Sequence, residues 1–361
     1  MRARRRRLSI ATAVAAVAAG VGLTAPPATS APPLQYVSLG DSYTAGNGAG
    51  TYTETTCWRS PDTYGALVAE HDGAEHVNAA CSGGRVADLT QPRQLGAPTT
   101  RTATYRVAGN AQVQQDKWLR RAKADQLCGE TTQPDLSWEM SFVGETTAAT
   151  SGNVELTATV SCQLTAAPQI DAVTQETDAV FLTIGGNDVN FSGIVLQCMV
   201  LRSATGCEST IAAADAALPD LRDRTAAALQ AIHDRSRGNA EVHLVGYPNL
   251  LNTASYSIPE AAPTYDAGAA LFAMQARGDE LQAKGVAELD AADTGPHGYT
   301  FVDVKPAWDG LTHGLDPSTT PDNSQAWLVP VLAPGRQLPE WVHPTQEGYA
   351  ATAEAVIDAA R

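Results

Sequence analysis

The stretch YVSLGDSYTAG at 36–46 begins as a short, mostly apolar run and ends in a polar turn bounded by Gly40 and Gly46. A short run without polar alternation, here 34–39, is the pattern of a strand buried on both faces. A serine placed directly after such a strand stands exposed at the strand-to-helix turn, with its own N–H facing the same space as its hydroxyl. Attack by a hydroxyl builds negative charge on a nearby oxygen, so Ser42 has the setting of a nucleophile. Taken alone, Gly40-Asp41-Ser42 reads more simply as a helix N-cap.

Working outward, the same grammar recurs. Short strands are predicted at 76–80, closing on Ser82-Gly83-Gly84, and at 178–184, closing on Gly185-Gly186. Others follow at 241–245, stopped by Gly246-Tyr247-Pro248-Asn249, and at 299–304. Helical stretches fall between them at 61–70, 212–235 and 267–289, with Gly238 as a stop signal. Repeated strand, turn and helix predict a mainly parallel sheet covered by helices on both faces, with the chemistry at the carboxyl ends of its strands. One region breaks the alternation. Between about 85 and 168, Leu136, Trp138, Met140 and Phe142 recur with period two, as do Val154, Leu156, Ala158 and Val160. Ser151-Gly152-Asn153 separates the two runs, which predicts a β-hairpin, preceded by a polar helix at 111–127. This is an insertion on the core domain, whose part as lid, platform or plain flap stays open.

Three further pieces carry chemistry. Gly83 can bring backbone close to a ligand with its N–H unobstructed. Asn187, after two glycines, offers a neutral amide donor, although Asn-Asp also makes ordinary turns. His343, in Glu340-Trp341-Val342-His343-Pro344, supplies a base of near-neutral pKa, which needs an orienting acceptor. His233 lies in a predicted helix amid charges and His243 within a strand, where a solvated or core histidine is the simpler reading. No histidine spacing suggests a metal centre.

The 361 residues carry 24 Lys and Arg against 39 Asp and Glu, a net charge of −15. Arg2, Arg4, Arg5, Arg6 and Arg7 precede an apolar stretch at 10–23 and a small-residue cleavage site, Ala28-Thr29-Ser30. Residues 1–30 therefore read as a secretory signal peptide, and the fourteen apolar residues are too short to span a bilayer. From Ala31 onward 19 cationic side chains face 39 carboxylates, a net charge of −20. A chain so acidic is repelled by phosphate backbones and anionic lipid, which excludes nucleic-acid binding. No stable membrane anchor is expected in the mature, extracellular protein. Its six cysteines all follow the signal, an even number without a C-x-x-C spacing, and predict three structural disulfides among 15 possible pairings.

Together the four pieces, in the order Ser, Gly, Asn, His, resemble the SGNH (GDSL-type) hydrolase superfamily, and most of all its secreted actinomycete esterases and lipases. The matching stretches are YVSLGDSYTAG at 36–46, NAACSG at 78–83, DAVFLTIGGNDVNF at 178–191 and VHPTQEG at 342–348. The resemblance implies a flavodoxin-like three-layer α/β/α sandwich over 31–361, with a mainly parallel five-stranded sheet and the β-containing insertion. It implies Ser42 as nucleophile, His343 as base and acid, and an oxyanion hole of the Ser42 N–H, the Gly83 N–H and the Asn187 amide. Relatives commonly carry Asp three residues before the histidine, where this chain has Glu340. Glu340 is then a candidate orienting acid, and a backbone carbonyl, as in some relatives, is the alternative. The family pattern also favours Cys57–Cys81, Cys128–Cys162 and Cys198–Cys207. The expected protein is a secreted, monomeric serine ester hydrolase of lipase, phospholipase or esterase type, acting without a cofactor on a small-molecule or lipid ester. A carbohydrate O-acetyl esterase is the second reading, and a non-catalytic binding protein on the same scaffold a third.

Overall fold

The apolar run at 34–39 forms strand β1 (Gln35–Gly40), buried from Tyr36 onward. The computed structural model describes residues 32–107, 111–131, 133–150, 153–258, 265–318 and 324–361. The expected signal peptide at 1–30 lies outside the described residues, as do two positions of the predicted hairpin turn, Ser151 and Gly152. After β1 come the one-turn helix α1 (Ser42–Ala45), α2 (Tyr64–Asp72) and β2 (Glu75–Asn78). The insertion follows as β3 (Arg93–Val107), α3 (Ala111–Ala124), β4 (Leu136–Thr150) and β5 (Asn153–Ala166). The chain then forms β6 (Ala179–Thr183), α4 (Phe191–Ile194), a π-helical turn at Val195–Val200, α5 (Ala204–Arg235) and β7 (Glu241–Val245). A small ribbon of β8 (Ser257–Ile258) and β9 (Tyr265–Asp266) leads into α6 (Ala267–Ala292), β10 (Tyr299–Val302) and α7 (Gln346–Ala359).

Five strands form one sheet in the order β10-β7-β6-β1-β2, parallel throughout. Helix α2 packs with α7 and α5 with α6, so the sheet lies between helical layers. That is the α/β architecture expected from the strand–turn–helix repeats. Burial explains why those strands read as they do: every residue of β6, at the centre, is buried, so polar alternation there would strand polar groups away from water. Helix α5 begins eight residues before the expected start at 212 and carries Pro219 in its interior. Helix α7 was not anticipated by the sequence reading.

The insertion is a separate three-stranded antiparallel sheet, ordered β3-β5-β4. The hairpin of β4 and β5 is as expected, but β3 is a strand that periodicity does not disclose. Gly96 and Pro98 fall in its register shift between Leu95 and Thr99, where the alternation breaks. The polar helix α3 covers one face and buries Trp118 completely, its indole N–H donating to the Leu156 carbonyl at 3.2 Å. Val107, Ala122, Leu156, Ala158 and Val160 complete this second core. Cys128–Cys162 closes 34 residues of chain across it, which stabilises the unit by about 3–4 kcal/mol in a chain-entropy account. The other bonds are Cys57–Cys81 and Cys198–Cys207, the latter stapling the π-helical turn to α5.

Candidate active site

Strand β1 ends on Gly40 at φ +119°, where a Cβ would lie 2.3 Å from the Thr183 carbonyl oxygen of β6. Only glycine lets the two strand ends come this close. The next residue, Asp41, donates its N–H to that same carbonyl at 3.0 Å and caps α1, its Oδ1 accepting the Tyr43 N–H at 2.9 Å. Ser42 is thus the first residue of α1 and 7% exposed. The N-cap role that the tripeptide suggested belongs to Asp41, which frees the Ser42 hydroxyl.

His343 arrives from the other end of the chain, and its Nε2 lies 2.7 Å from the Ser42 Oγ. Its Nδ1 is 2.8 Å from the Trp341 carbonyl oxygen. A carbonyl can only accept, so Nδ1 carries the proton and Nε2 is left to accept from the serine. Burial pushes the imidazole down to about 4, which keeps it neutral at pH 7. The ring is aimed by strained backbone: Val342, β-branched and buried, sits at φ +61°, with its carbonyl held by the Tyr43 hydroxyl at 2.6 Å.

The Glu340 carboxylate makes no hydrogen bond to the His343 imidazole, which corrects one of the two alternatives left open for the orienting group. It ends a 3-10 turn, Leu338–Glu340, and its Oε2 accepts the Gln337 N–H at 2.7 Å. Its Oε1 takes the Tyr52 hydroxyl and Arg336, both at 2.9 Å. Those three donors hold the buried carboxyl below the usual carboxylate range against its desolvation. With its carboxylate committed there, the backbone of the next residue fills the place beside the imidazole.

Gly83 and Asn187 come to the same strand ends. Gly83 adopts φ +74°, and neither its N–H nor that of Ser42 has a hydrogen-bond partner among the described residues. The turn is braced by the Cys57–Cys81 bond and by Ser82 N–H donating to the Cys57 carbonyl at 2.9 Å. Asn187 donates one amide hydrogen to the Gly84 carbonyl at 2.9 Å, which leaves its second hydrogen available. Its neighbour Asp188 fixes the loop by accepting from Val86 N–H at 3.1 Å and from Arg224 at 2.6 Å.

Two side chains with a part in the site were not singled out from the sequence. Asp41 is buried, and desolvation pushes its carboxyl up to about 7. Tyr247 donates to the Asp41 Oδ2 at 2.5 Å and accepts the Gly186 N–H at 2.9 Å, so one phenol ties together the loops after β1, β6 and β7. Its position directly after a predicted strand was the available signal. Beyond Tyr43 and Tyr247 lies an apolar cavity of about 110 Å³, lined by Phe191, Ile194, Leu218, Leu221, Leu271 and Met274 among others. Among the described residues no three His, Cys, Asp or Glu side chains form a metal-binding group. None of the described helices is long and apolar enough to cross a membrane.

A serine hydroxyl hydrogen-bonded to a neutral imidazole, beside unpartnered N–H donors, is an arrangement able to perform acyl transfer. Several known proteins resemble this chain. A lipase of Streptomyces rimosus is 27% identical over 353 residues, 95% of this chain and 94% of its own. Lipase 1 of Streptomyces coelicolor is 27% identical, covering 92% and 90% of the two chains. In fold, the chain is similar to the extracellular lipase of S. rimosus, with a TM-score of 0.56 and 24% identity over 90% of this chain and 99% of that one. It is equally similar to a phospholipase A1 of Streptomyces albidoflavus, with a TM-score of 0.56 and 19% identity over 91% and 100%. The family model described as GDSL-like lipase/acylhydrolase matches residues 36–356, nearly the whole described chain. With that match added to the geometry at its strand ends, this chain belongs to the GDSL-like lipase/acylhydrolase family and is a carboxylic ester hydrolase.

Proposed function

We propose that the protein is a secreted serine esterase of lipase or phospholipase type, working through an acyl-enzyme with a Ser42–His343 dyad. The observation that carries this reading is the 2.7 Å contact between Ser42 Oγ and His343 Nε2, with the opposite imidazole nitrogen bound to the Trp341 carbonyl. Ser42 Oγ attacks the ester carbonyl carbon while its proton passes to His343 Nε2. The tetrahedral oxyanion is held by the N–H groups of Ser42 and Gly83 and the Asn187 amide. Collapse breaks the bond to the alcohol oxygen, which takes the proton from His343 and leaves. Water then attacks the acyl-Ser42 ester with His343 again as base, releasing the acid and restoring the serine.

The apolar cavity beyond Tyr43 suits the acyl portion of the substrate better than a sugar, which needs polar partners along its length. Secretion is supported by the basic and apolar residues at 1–30, by three disulfides and by likeness to an extracellular lipase. Hydrolysis of p-nitrophenyl esters from acetyl to palmitoyl tests the reading, with Ser42→Ala alongside. Turnover that rises beyond acetyl and falls by about 10⁴-fold or more in the variant is expected. Turnover confined to acetyl would instead identify an O-acetyl esterase.

A further inference from the structure

Residues 79–84, which carry Gly83, are gripped from the root of the insertion. Arg93, the first residue of β3, donates from its guanidinium to the Ser82 carbonyl at 2.9 Å. Arg59, itself buried, donates to the Ala80 carbonyl at 2.8 Å and the Ala79 carbonyl at 3.2 Å. The same guanidinium is clamped in a two-pronged ion pair by Asp135, immediately before β4, at 2.9 and 2.5 Å. Leu136 and Ala166, at the foot of the insertion sheet, pack on the Cys57–Cys81 bond together with Leu95 and Leu164. A flap needing only attachment would be served by the apolar packing. The polar contacts do something else, because they end on three carbonyls of the turn, those of Ala79, Ala80 and Ser82.

A peptide unit is planar and trans, so the Ser82 carbonyl and the Gly83 N–H point in opposite directions across one rigid plane. Whatever holds that carbonyl aims that N–H. A cationic donor on the carbonyl also polarises the peptide and strengthens its N–H as a donor. We propose that Arg93 is a positioning residue for ester hydrolysis, which orients the Ser82–Gly83 peptide so that the Gly83 N–H faces the oxyanion, with Asp135 supporting the preceding residues through Arg59. The insertion is thereby part of the hydrolytic machinery. This rests on Gly83 acting as an oxyanion donor, as proposed above.

The test is steady-state kinetics of Arg93→Gln on a p-nitrophenyl ester, with inhibition by an alkyl trifluoromethyl ketone. That ketone takes the Ser42 oxygen onto its carbonyl carbon as the serine proton passes to His343, and so reproduces the tetrahedral state. A misplaced donor is expected to lower kcat roughly 10- to 100-fold, with KM within about twofold. Inhibition by the ketone should weaken by the same factor, and Arg93→Lys, still able to donate once, should recover part of the loss. Thr102→Ala, on the far exposed face of the insertion, should change neither quantity. A folded Arg93→Gln enzyme with unchanged kcat and unchanged ketone inhibition overturns the proposal. If that variant is not recovered folded, Asp135→Asn decides: a smaller kcat-only loss supports the proposal and an unaltered kcat overturns it. A Ser42→Ala enzyme that still turns over would remove the site assignment and this inference with it. An inactive Ser42→Ala beside an unimpaired Arg93→Gln would remove the inference alone.

Discussion

Strands β1, β6 and β7 run five or six residues and are buried almost throughout, whereas β3, β4 and β5 run 14 or 15 and leave one face in water. On that open face Thr102 meets Thr159 and Thr104 meets Thr157, each pair at 2.8 Å, while Trp118 and its neighbours fill the other. The short parallel strands end at the proposed reactive groups, and their buried faces hold those ends in place. The long antiparallel strands invest in a core of their own and meet the site only at their root. Location of function and amount of secondary structure are therefore nearly inverse in this molecule.

The sharpest way to break that division is Trp118→Ala. Loss of the indole should cost about 3–5 kcal/mol, confined to the insertion. Hydrogen exchange should accelerate across β3, β4 and β5 while β1, β6 and β7 keep their protection. Equal loss in both sheets would mean that they unfold as one. Asn187→Ala probes the other side: kcat should fall by about 10²–10³, since the proposed oxyanion hole would lose one donor. Its thermal midpoint should move little, because a single hydrogen bond to Gly84 is worth about 0.5–1.5 kcal/mol.

The pH profile belongs to the parallel sheet alone, because no histidine occurs between 93 and 166. Burial lowers His343 to about 4, and protonation removes the base, so kcat/KM should decline only as pH falls toward 4. An acid limb near about 6.5 to 7 would mean either a more solvated imidazole or protonation of Asp41, whose carboxyl burial pushes up to about 7, and Asp41→Asn separates the two. The smallest effect is expected from Glu340→Gln. The His343 partner is the Trp341 carbonyl, so kcat should fall far short of the ~10⁴-fold drop that follows loss of a bonded triad carboxylate. A loss of that size would put Glu340 back beside the imidazole.

Much of the parallel sheet was legible from sequence because burial on both faces leaves a plain mark, an apolar run cut off by glycine. The same glycines flagged Ser42, Gly83 and Asn187, whose turns need close backbone approach. The hairpin of β4 and β5 was equally legible from its alternation. Strand β3 was not, since Gly96 and Pro98 interrupt its period at the bulge. Glu340 and Trp341 mark another limit: both stand near His343 in sequence, and only the 3-10 turn that engages the carboxylate decides between side chain and carbonyl. Tyr247 was marked only by its place after a strand, and the insertion's arginine contacts are products of tertiary geometry, for which no local pattern exists.

The phenol of Tyr247 also bears on how the protein comes into being. Its bond to Asp41 spans 206 positions of chain, and the meeting of Ser42 with His343 spans 301. Contacts so distant close last, after the loop entropy of nearly the whole polypeptide has been overcome. In a refolding experiment helical signal should therefore return well before ester hydrolysis. The hairpin of β4 and β5, whose strands pair with near neighbours in sequence, should mature early and wait for the two ends of the chain to find each other.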